Sequence, residues 1–203
     1  MSVDPNQSIA LAITGASGSA YGLRLLELLI KKGRKVYLMI SKAGEMVIPL
    51  ETGLELPSDV RQAEAMLAER YGAAEGQLRL FGREEWTAPV ASGSNPPAAM
   101  VVCPCTAGTL SAIACGASNN LIERAADVML KEQQKLILVV RETPFSAIHL
   151  ENMLKLARLG VVTMPASPGF YNRPQSIDEI VDFMVGRVLD HLGIEHDLVK
   201  PWG

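Results

Sequence analysis

Small residues that interrupt two apolar runs are the first chemically informative feature of the chain. The stretch TGASGSAYG, residues 14–22, follows the apolar residues LAI and precedes an amphipathic stretch. This order predicts a strand, a tight turn over residues 15–18 and a helix, an arrangement that offers backbone N–H groups to a phosphate. The stretch CTAGT, residues 105–109, repeats the pattern after another apolar run. Two such turns favour a phosphate-bearing ligand over turns without a ligand.

The residues in and after the first turn indicate which nucleotide fits. A GxGxxG dinucleotide fingerprint starting at Gly15 requires glycine at positions 17 and 20, where the chain has Ser17 and Ala20. The Gly-Lys-Ser/Thr of a phosphate-binding loop is absent, and no tyrosine precedes a lysine at the four-residue spacing of short-chain dehydrogenases. The second predicted strand ends in Ser41-Lys42 rather than in the acidic residue that holds an NAD ribose. A mononucleotide such as FMN is therefore favoured over a nicotinamide dinucleotide.

Charged residues that could act on a second phosphate lie in three later stretches. Arg124 and Lys131 are seven residues apart in one helical stretch and share a face. Arg141 and Glu142 directly follow the apolar run LILVV, at a strand end where side chains face the ligand crevice. Arg187 lies among apolar residues in FMVGRVL. A solvated face for Arg124 and Lys131, a structural role for Arg141 and Glu142, and packing of the Arg187 stem are the alternatives.

The sequence gives little support for a metal site. A zinc site needs about four ligands, and the three cysteines, Cys103, Cys105 and Cys115, have no histidine at ligand spacing. The stretch SIDEIVD, residues 176–182, resembles the Asp-rich magnesium motif of diphosphate-using prenyl enzymes. Ser176 and Glu179 are instead spaced as a capping box that starts a helix. We expect no metal, and we expect Arg and Lys to neutralise any phosphate.

Apolar strands alternate with amphipathic helices along the whole chain. Strands are predicted at residues 8–14, 35–41, 77–82, 99–105, 135–140 and 160–165. Helices are predicted at residues 19–32, 43–51, 58–71, 106–117, 120–132, 146–159 and 177–192, and a loop at 86–97. This alternation predicts a doubly wound α/β fold with helices on both faces of a parallel sheet. Ligands of such sheets lie beyond the carboxyl ends of the strands, which groups residues 15–18, 41, 105–109, 141–142 and 165–171 around one crevice.

Composition bounds the class of protein. The chain has 203 residues, 48% hydrophobic residues and a net charge of −3, which fits one globular domain over residues 1–203. No basic stripe indicates nucleic-acid binding, and no apolar run is long enough to span a bilayer. The first eight residues, MSVDPNQS, lack the features of a signal peptide, so we expect a cytoplasmic protein.

Several long motifs together resemble one family. TGASGSAYG, CPCTAGTLSAIACG, NNLIERAADVMLKE, RETPFSAIHLENMLKL, PASPGFYNRPQS and the closing KPWG are similar to the flavin prenyltransferase (UbiX-like) family. The related flavin-dependent cysteine decarboxylases carry a Pro-x-Met-Asn motif where this chain reads PFSAIHLENM, which favours the prenyltransferase branch. The chain departs from the family at Thr106-Ala107, where many relatives read Ser-Thr.

The resemblance implies a Rossmann-like, flavodoxin-type fold that binds FMN and works without metal. Members join a dimethylallyl group from dimethylallyl monophosphate to N5 and C6 of reduced FMN. The prenylated FMN serves a partner UbiD-type decarboxylase in ubiquinone synthesis and aromatic-acid decarboxylation. Members assemble through trimers, often into dodecamers, with sites between subunits.

The resemblance also implies a role for each matching residue. FMN contacts are expected from Gly15, Ala16, Ser17, Ser41, Thr106, Ala107, Gly108, Thr109 and Arg141. The prenyl phosphate is expected to meet Ser92, Gly93, Arg124, Lys131, Tyr171 and Arg187, with Trp202 lining the pocket. Catalytic roles are expected for Glu51 and Glu142, in acid–base steps, and for Ser17.

Two other functions fit parts of the sequence. A flavin-dependent decarboxylase would act directly on a carboxylated substrate. A non-catalytic FMN carrier would bind and deliver the flavin, but it has no use for a second cluster of Arg and Lys beside an acid.

Overall fold

The computed structural model describes residues 8–199, which form six strands and seven α-helices in alternation. The strands are β1 (Ile9–Ile13), β2 (Val36–Ile40), β3 (Leu78–Phe81), β4 (Ala99–Cys105), β5 (Lys135–Val140) and β6 (Val162–Pro165). The helices are α1 (Ser19–Lys31), α2 (Lys42–Thr52), α3 (Val60–Tyr71), α4 (Ala107–Ala114), α5 (Leu121–Lys131), α6 (Ala147–Arg158) and α7 (Ile177–Leu192). Each element agrees with its prediction to within a few residues, and the loop at 86–97 contains a short 3-10 helix, Pro89–Ala91.

The six strands form one parallel sheet in the order β3-β2-β1-β4-β5-β6. The predicted doubly wound α/β fold, with its Rossmann-like, flavodoxin-type sheet, is confirmed. The direction in which successive strands are added to the sheet reverses between β1 and β4: β2 and β3 extend from one side of β1, and β4, β5 and β6 extend from the other. Ile9 of β1 pairs with Val36 on one side and with Ala99 on the other. In such sheets the crevice at this reversal, beyond the carboxyl ends of the strands, is where ligands bind.

The central strand faces a hydrophobic layer on each side because successive side chains of a strand point to opposite faces. In β1, Ile9, Leu11 and Ile13 pack with α1, α2, α3 and α7. Ala10 and Ala12 pack on the other face with α4, α5 and α6. Arg187 in α7 and Arg124 in α5 therefore belong to opposite helix layers.

Two glycines bring helices close to the carboxyl edge of the sheet. Gly22 of α1 lies directly against the Cys103 carbonyl, where any Cβ would collide with the oxygen. A Cβ on Gly44 of α2 would lie 2.7 Å from the Ile13 carbonyl oxygen. Gly22 thus gives the close helix–strand packing that the third glycine of a dinucleotide fingerprint provides, two positions later than that fingerprint requires. Over residues 8–199, none of the helices has the length and apolar character to cross a bilayer.

Candidate active site

The buried hydroxyl of Thr14 hydrogen-bonds the end of β1 to the end of β4. Thr14 is 1% exposed; its Oγ1 donates to the Pro104 carbonyl at 2.7 Å and accepts from the Thr106 N–H at 2.9 Å. The turn after β1 and the turn after β4 are therefore held at a fixed separation. Sequence reasoning missed Thr14, although a hydroxyl residue at the end of a fully apolar strand was a usable signal.

Two helices begin at this edge with a hydroxyl cap. Thr106 caps α4: its Oγ1 accepts from the Thr109 N–H at 3.0 Å and donates to the Thr109 hydroxyl at 2.9 Å. Ser41 caps α2 by accepting from the Gly44 N–H at 3.0 Å. The first N–H groups of a helix have no intrahelical partner, so those of residues 107 and 108 are suited to an anion. The carboxyl ends of β2 and β4 thus each lead into a helix that begins with a hydroxyl cap.

The start of α1 carries its own anion. Glu51 of α2 accepts hydrogen bonds from the Gly18 N–H at 2.9 Å, the Ser19 N–H at 2.8 Å and the Ser19 hydroxyl at 2.6 Å. Burial raises the pKa of Glu51, but hydrogen bonds from Ser17, Ser19 and Gly18 outweigh it and leave the pKa below its usual value. The first turn was expected to offer these N–H groups to a phosphate. For Gly18 and Ser19 that expectation is corrected, because a carboxylate from the same chain already binds their N–H groups.

Arg141 and Glu142 lie directly after β5, at the carboxyl edge of the sheet. The Arg141 backbone N–H donates to the Cys105 carbonyl at 3.1 Å, and its Nε donates to the Ser17 carbonyl at 3.1 Å. Both side chains are half-buried, and Glu142 Oε1 accepts from the Thr143 N–H at 3.1 Å. The structure thus brings Arg141 to the turn that contains Ser17, and Glu142 follows it at the same strand end.

A second group of predicted residues gathers beside α5. Arg124 donates from Nε to the Ala91 carbonyl at 3.1 Å, which ties α5 to the short 3-10 helix and to the adjacent Ser92. A Cβ on Gly93 would lie 2.5 Å from Lys131 Nζ. Four of the residues expected to meet the prenyl phosphate, Ser92, Gly93, Arg124 and Lys131, are therefore neighbours.

Tyr171 and Arg187 lie elsewhere, along a groove of about 980 Å³ beside α7. The Tyr171 ring meets Phe183 edge-on with centroids 6.0 Å apart. Arg187 is paired with Asp190 at 2.6 Å. Because α7 and α5 pack on opposite faces of the sheet, one chain does not bring this pair to Arg124 and Lys131. Trp202 lies outside the described residues.

The two buried cysteines, Cys103 and Cys105, and the acidic stretch after residue 175 have structural roles. Burial raises the pKa of Cys103, and it raises the pKa of Cys105 to about 12. Ser176 accepts from the Glu179 N–H at 3.2 Å, while Glu179 Oε2 accepts from the Gln175 N–H at 2.9 Å. The helix-start interpretation is confirmed, with the acid reaching one residue before the cap. Within residues 8–199, no group of three or more His, Cys, Asp or Glu could hold a metal ion.

Comparisons with known proteins agree on one family. The flavoprotein family model matches residues 2–189. A curated relative from Pseudomonas aeruginosa, named flavin prenyltransferase UbiX, is 57% identical over 197 residues, covering 97% of this chain and 94% of the relative.

Two solved structures share the fold along nearly the whole chain. AnUbiX (PadA1), in complex with FMN and dimethylallyl pyrophosphate, is 38% identical with a TM-score of 0.86, covering 97% of each chain. A dodecameric FMN-dependent UbiX-like decarboxylase from Escherichia coli O157:H7 is 38% identical with a TM-score of 0.85, covering 97% of this chain and 99% of that one.

Proposed function

The chain belongs to the flavin prenyltransferases of the flavoprotein family, and from that premise we propose how its own residues carry out the reaction. The protein is an enzyme that transfers a dimethylallyl group from dimethylallyl monophosphate to N5 and C6 of reduced FMN. The product serves a UbiD-type decarboxylase, and the protein forms homo-oligomers. The observation that carries this function is the 57% identity to a flavin prenyltransferase over 97% of the chain.

The crevice at the strand reversal fits FMN. Gly15 lies so close to Ala43 that no Cβ could be added there, which leaves the turn as bare backbone beside the caps Ser41 and Thr106. In this proposal the α4 N-terminus, over residues 106–109, holds the FMN phosphate, and Arg141 fixes the turn over residues 15–17 against the flavin. Bound reduced FMN supplies the nucleophilic nitrogen and carbon, and the protein supplies position and charge.

Arg124 and Lys131 neutralise the prenyl phosphate in this proposal. Departure of an allylic phosphate builds negative charge on its oxygens, and cations already in place lower that barrier. Arg124 has its Nε on the Ala91 carbonyl and an Nη on Asp127 at 2.7 Å, so its guanidinium is held before substrate arrives. Lys131 is paired with Glu132, which the substrate phosphate must displace. Because Arg124 and Lys131 neutralise the negative charge of the leaving phosphate, the transfer needs no metal ion in this proposal.

The phosphate site is completed between subunits in this proposal. Arg187 shares its groove with three carboxylates, Asp190, Glu195 and Asp197, so this groove alone is a poor anion site. Arg124 lies in the opposite helix layer of the same chain. A neighbouring subunit that presents Arg124 to the Arg187 groove would join the two halves of the cluster and exclude water from the allylic cation. The dodecameric relative has the oligomeric form that such shared sites require.

Hybrid oligomers test the shared site. Arg124→Ala and Arg187→Ala chains are each expected to be strongly impaired at a prenyl phosphate concentration below the parental KM, and coexpressed together they should regain roughly a quarter of the parental sites if subunits mix at random. Activity is measured as prenylated FMN formed per bound flavin. Hybrids that are no more active than the two single variants under these conditions would contradict the shared site. Coexpression of two differently tagged Arg124→Ala chains, which can restore no site, is the matched control.

Glu142, Glu51 and Ser17 handle protons in this proposal. Glu142 lies at the end of β5 beside Arg141, within the crevice, and it can give a proton to the leaving phosphate and later accept the one lost at C6. Glu51 is ionised and bound to the start of α1, and Ser17 hydrogen-bonds to it. Among residues 8–199, Glu142 accepts one hydrogen bond from a backbone N–H, whereas Glu51 is held by several donors, so Glu142 carries the main acid–base role in this proposal.

A coupled assay separates prenyl transfer from the other two functions. The protein is incubated anaerobically with reduced FMN, dimethylallyl monophosphate and an aromatic acid, with or without a UbiD-type apo-decarboxylase. Prenyl transfer predicts CO₂ release only when the decarboxylase is added. Release without it supports direct decarboxylation. No release in either case, together with flavin binding, supports a carrier.

We further propose one FMN-binding domain over residues 1–203, located in the cytoplasm. All six strands join one sheet, and the two hydrophobic layers both pack on it. The three cysteines are free, which fits a reducing compartment. Fractionation of cells, with the protein recovered beside a cytoplasmic marker, tests the location.

A further inference from the structure

The segment after α7 folds back onto that helix through a histidine. The His196 side chain is 9% exposed, and its Nε2 lies 3.0 Å from Asp190 Oδ1. Gly186 makes room for the ring, because a Cβ there would lie 3.0 Å from His196 Cε1. Residues 194–199 are thereby attached to α7 one turn from Arg187.

The hydrogen bonds of His196 define its tautomer. The Leu198 N–H donates to Nδ1 at 3.3 Å, so Nδ1 acts as an acceptor and carries no proton. The neutral ring therefore carries its proton on Nε2 and donates it to Asp190. Each ring nitrogen has one partner, which fixes the orientation of the ring.

Asp190 divides its two oxygens between His196 and Arg187. Oδ1 accepts from His196, and Oδ2 accepts from Arg187 Nη1 at 2.6 Å. A carboxylate that is held at one oxygen presents the other in a fixed direction. Arg187 lies three residues before Asp190 on the same helix. Its side chain is 54% exposed, so burial does not fix the orientation of its guanidinium.

We infer that His196 and Asp190 are positioning residues that orient the Arg187 guanidinium for the prenyl phosphate. The inference rests on the proposed role of Arg187 in binding that phosphate. Among residues 8–199, Asp190 is the hydrogen-bond partner found for the Arg187 guanidinium, and it engages one Nη. The other N–H donors of the guanidinium are left for an anion. Ordering Arg187 beforehand lowers the entropy that binding would otherwise cost.

A double-mutant cycle tests the chain of contacts. His196→Phe keeps an aromatic ring but removes both hydrogen bonds, whereas His196→Gln keeps an N–H donor for Asp190. We expect His196→Phe to raise the KM for dimethylallyl monophosphate about two- to tenfold, the loss that corresponds to one hydrogen bond. The kcat at saturation and the affinity for FMN stay at the parent values, and His196→Gln restores most of the KM. His191→Phe, at an exposed position of the same helix, is the matched control and leaves KM unchanged.

The same cycle separates failure of this inference from failure of the proposed function. In an Arg187→Ala background, His196→Phe should cause no further rise in KM, because the contact acts only through Arg187. Additive effects of the two substitutions, or a parental KM in His196→Phe, would overturn the positioning role. A fall in thermal stability with an unchanged KM would also overturn it, since that is the result of a purely structural contact. If Arg187→Ala alone leaves KM unchanged, the proposed phosphate role of Arg187 fails instead.

Discussion

Replacement of Glu51 by glutamine tests the anion that starts α1. The carboxylate accepts from two backbone N–H groups and one hydroxyl, and α1 has no other side-chain cap. Glutamine has nearly the same size as glutamate but carries no charge. Its NH₂ group cannot accept a hydrogen bond from the N–H donors that the carboxylate oxygens bind. Loss of an N-terminal cap costs about 0.5–2 kcal/mol, and solvent screening of this exposed carboxylate favours the middle of that range, about 1 kcal/mol. Such a change lowers the Tm of a chain of this size by about 2–4 °C.

The pH dependence of the Tm difference tests the Glu51 charge more specifically than the Tm difference at one pH. Because the hydrogen bonds hold the folded-state pKa of Glu51 below the ordinary value of 4.5, its contribution to stability is complete above about pH 4.5. The contribution is lost as the pH falls through the folded-state pKa. The Tm difference between the parent and Glu51→Gln should therefore be constant near neutral pH and shrink towards zero in acid.

The assay is thermal unfolding of both proteins across a pH series at one protein concentration. Glu151→Gln is the matched control, because Glu151 is an exposed glutamate of α6 to which no hydrogen bond or ion pair is found among residues 8–199. It should unfold at the parental temperature throughout. A Glu51→Gln protein as stable as the parent at pH 7, or a Tm difference that persists in acid, would show that the Glu51 carboxylate does not stabilise the start of α1.

Three further predictions address the crevice. Thr14→Val should cost about 1–3 kcal/mol of stability and weaken FMN binding, because it leaves the Thr106 N–H without its acceptor. Unfolding and flavin titration measure the two effects, with Thr14→Ser as the control. Parental values in Thr14→Val would contradict the role of Thr14. Glu142→Gln should lower single-turnover prenylation by about 10²–10⁴-fold with FMN affinity unchanged, and a variant that turns over at the parental rate would remove Glu142 from the mechanism. Treatment with EDTA should leave prenyl transfer intact; loss of activity that Mg²⁺ restores would show that Arg124 and Lys131 do not suffice.

Secondary structure was predictable because its signals are local. Apolar strands such as β4, and the spacing of Ser176 and Glu179, are visible in a short window of sequence. The strand order was not predictable, since it depends on where each crossover returns to the sheet. The carboxyl-edge crevice nevertheless followed from the parallel arrangement alone, because every strand then ends at the same edge.

The contacts that shape the site were hidden by separation along the chain. Thr14 meets Pro104 across 90 residues, and Glu51 meets Gly18 across 33, so no local pattern reveals either pair. The Glu51 contact changed the interpretation of the first turn most, because it occupies the Gly18 and Ser19 N–H groups that were expected to face a phosphate. The pair Arg187–Asp190, three residues apart on one helix, is a contact that helical spacing alone could have indicated.

The mass of the flavin after reaction shows whether the protein transfers a prenyl group. The protein is incubated anaerobically with reduced FMN and dimethylallyl monophosphate, and the released flavin is analysed by mass spectrometry. We expect a flavin heavier than FMN by one isoprene unit, formed only with enzyme and prenyl phosphate together and formed at a strongly reduced rate by Glu142→Gln. Recovery of unmodified FMN alone, from protein that binds both compounds, would contradict it.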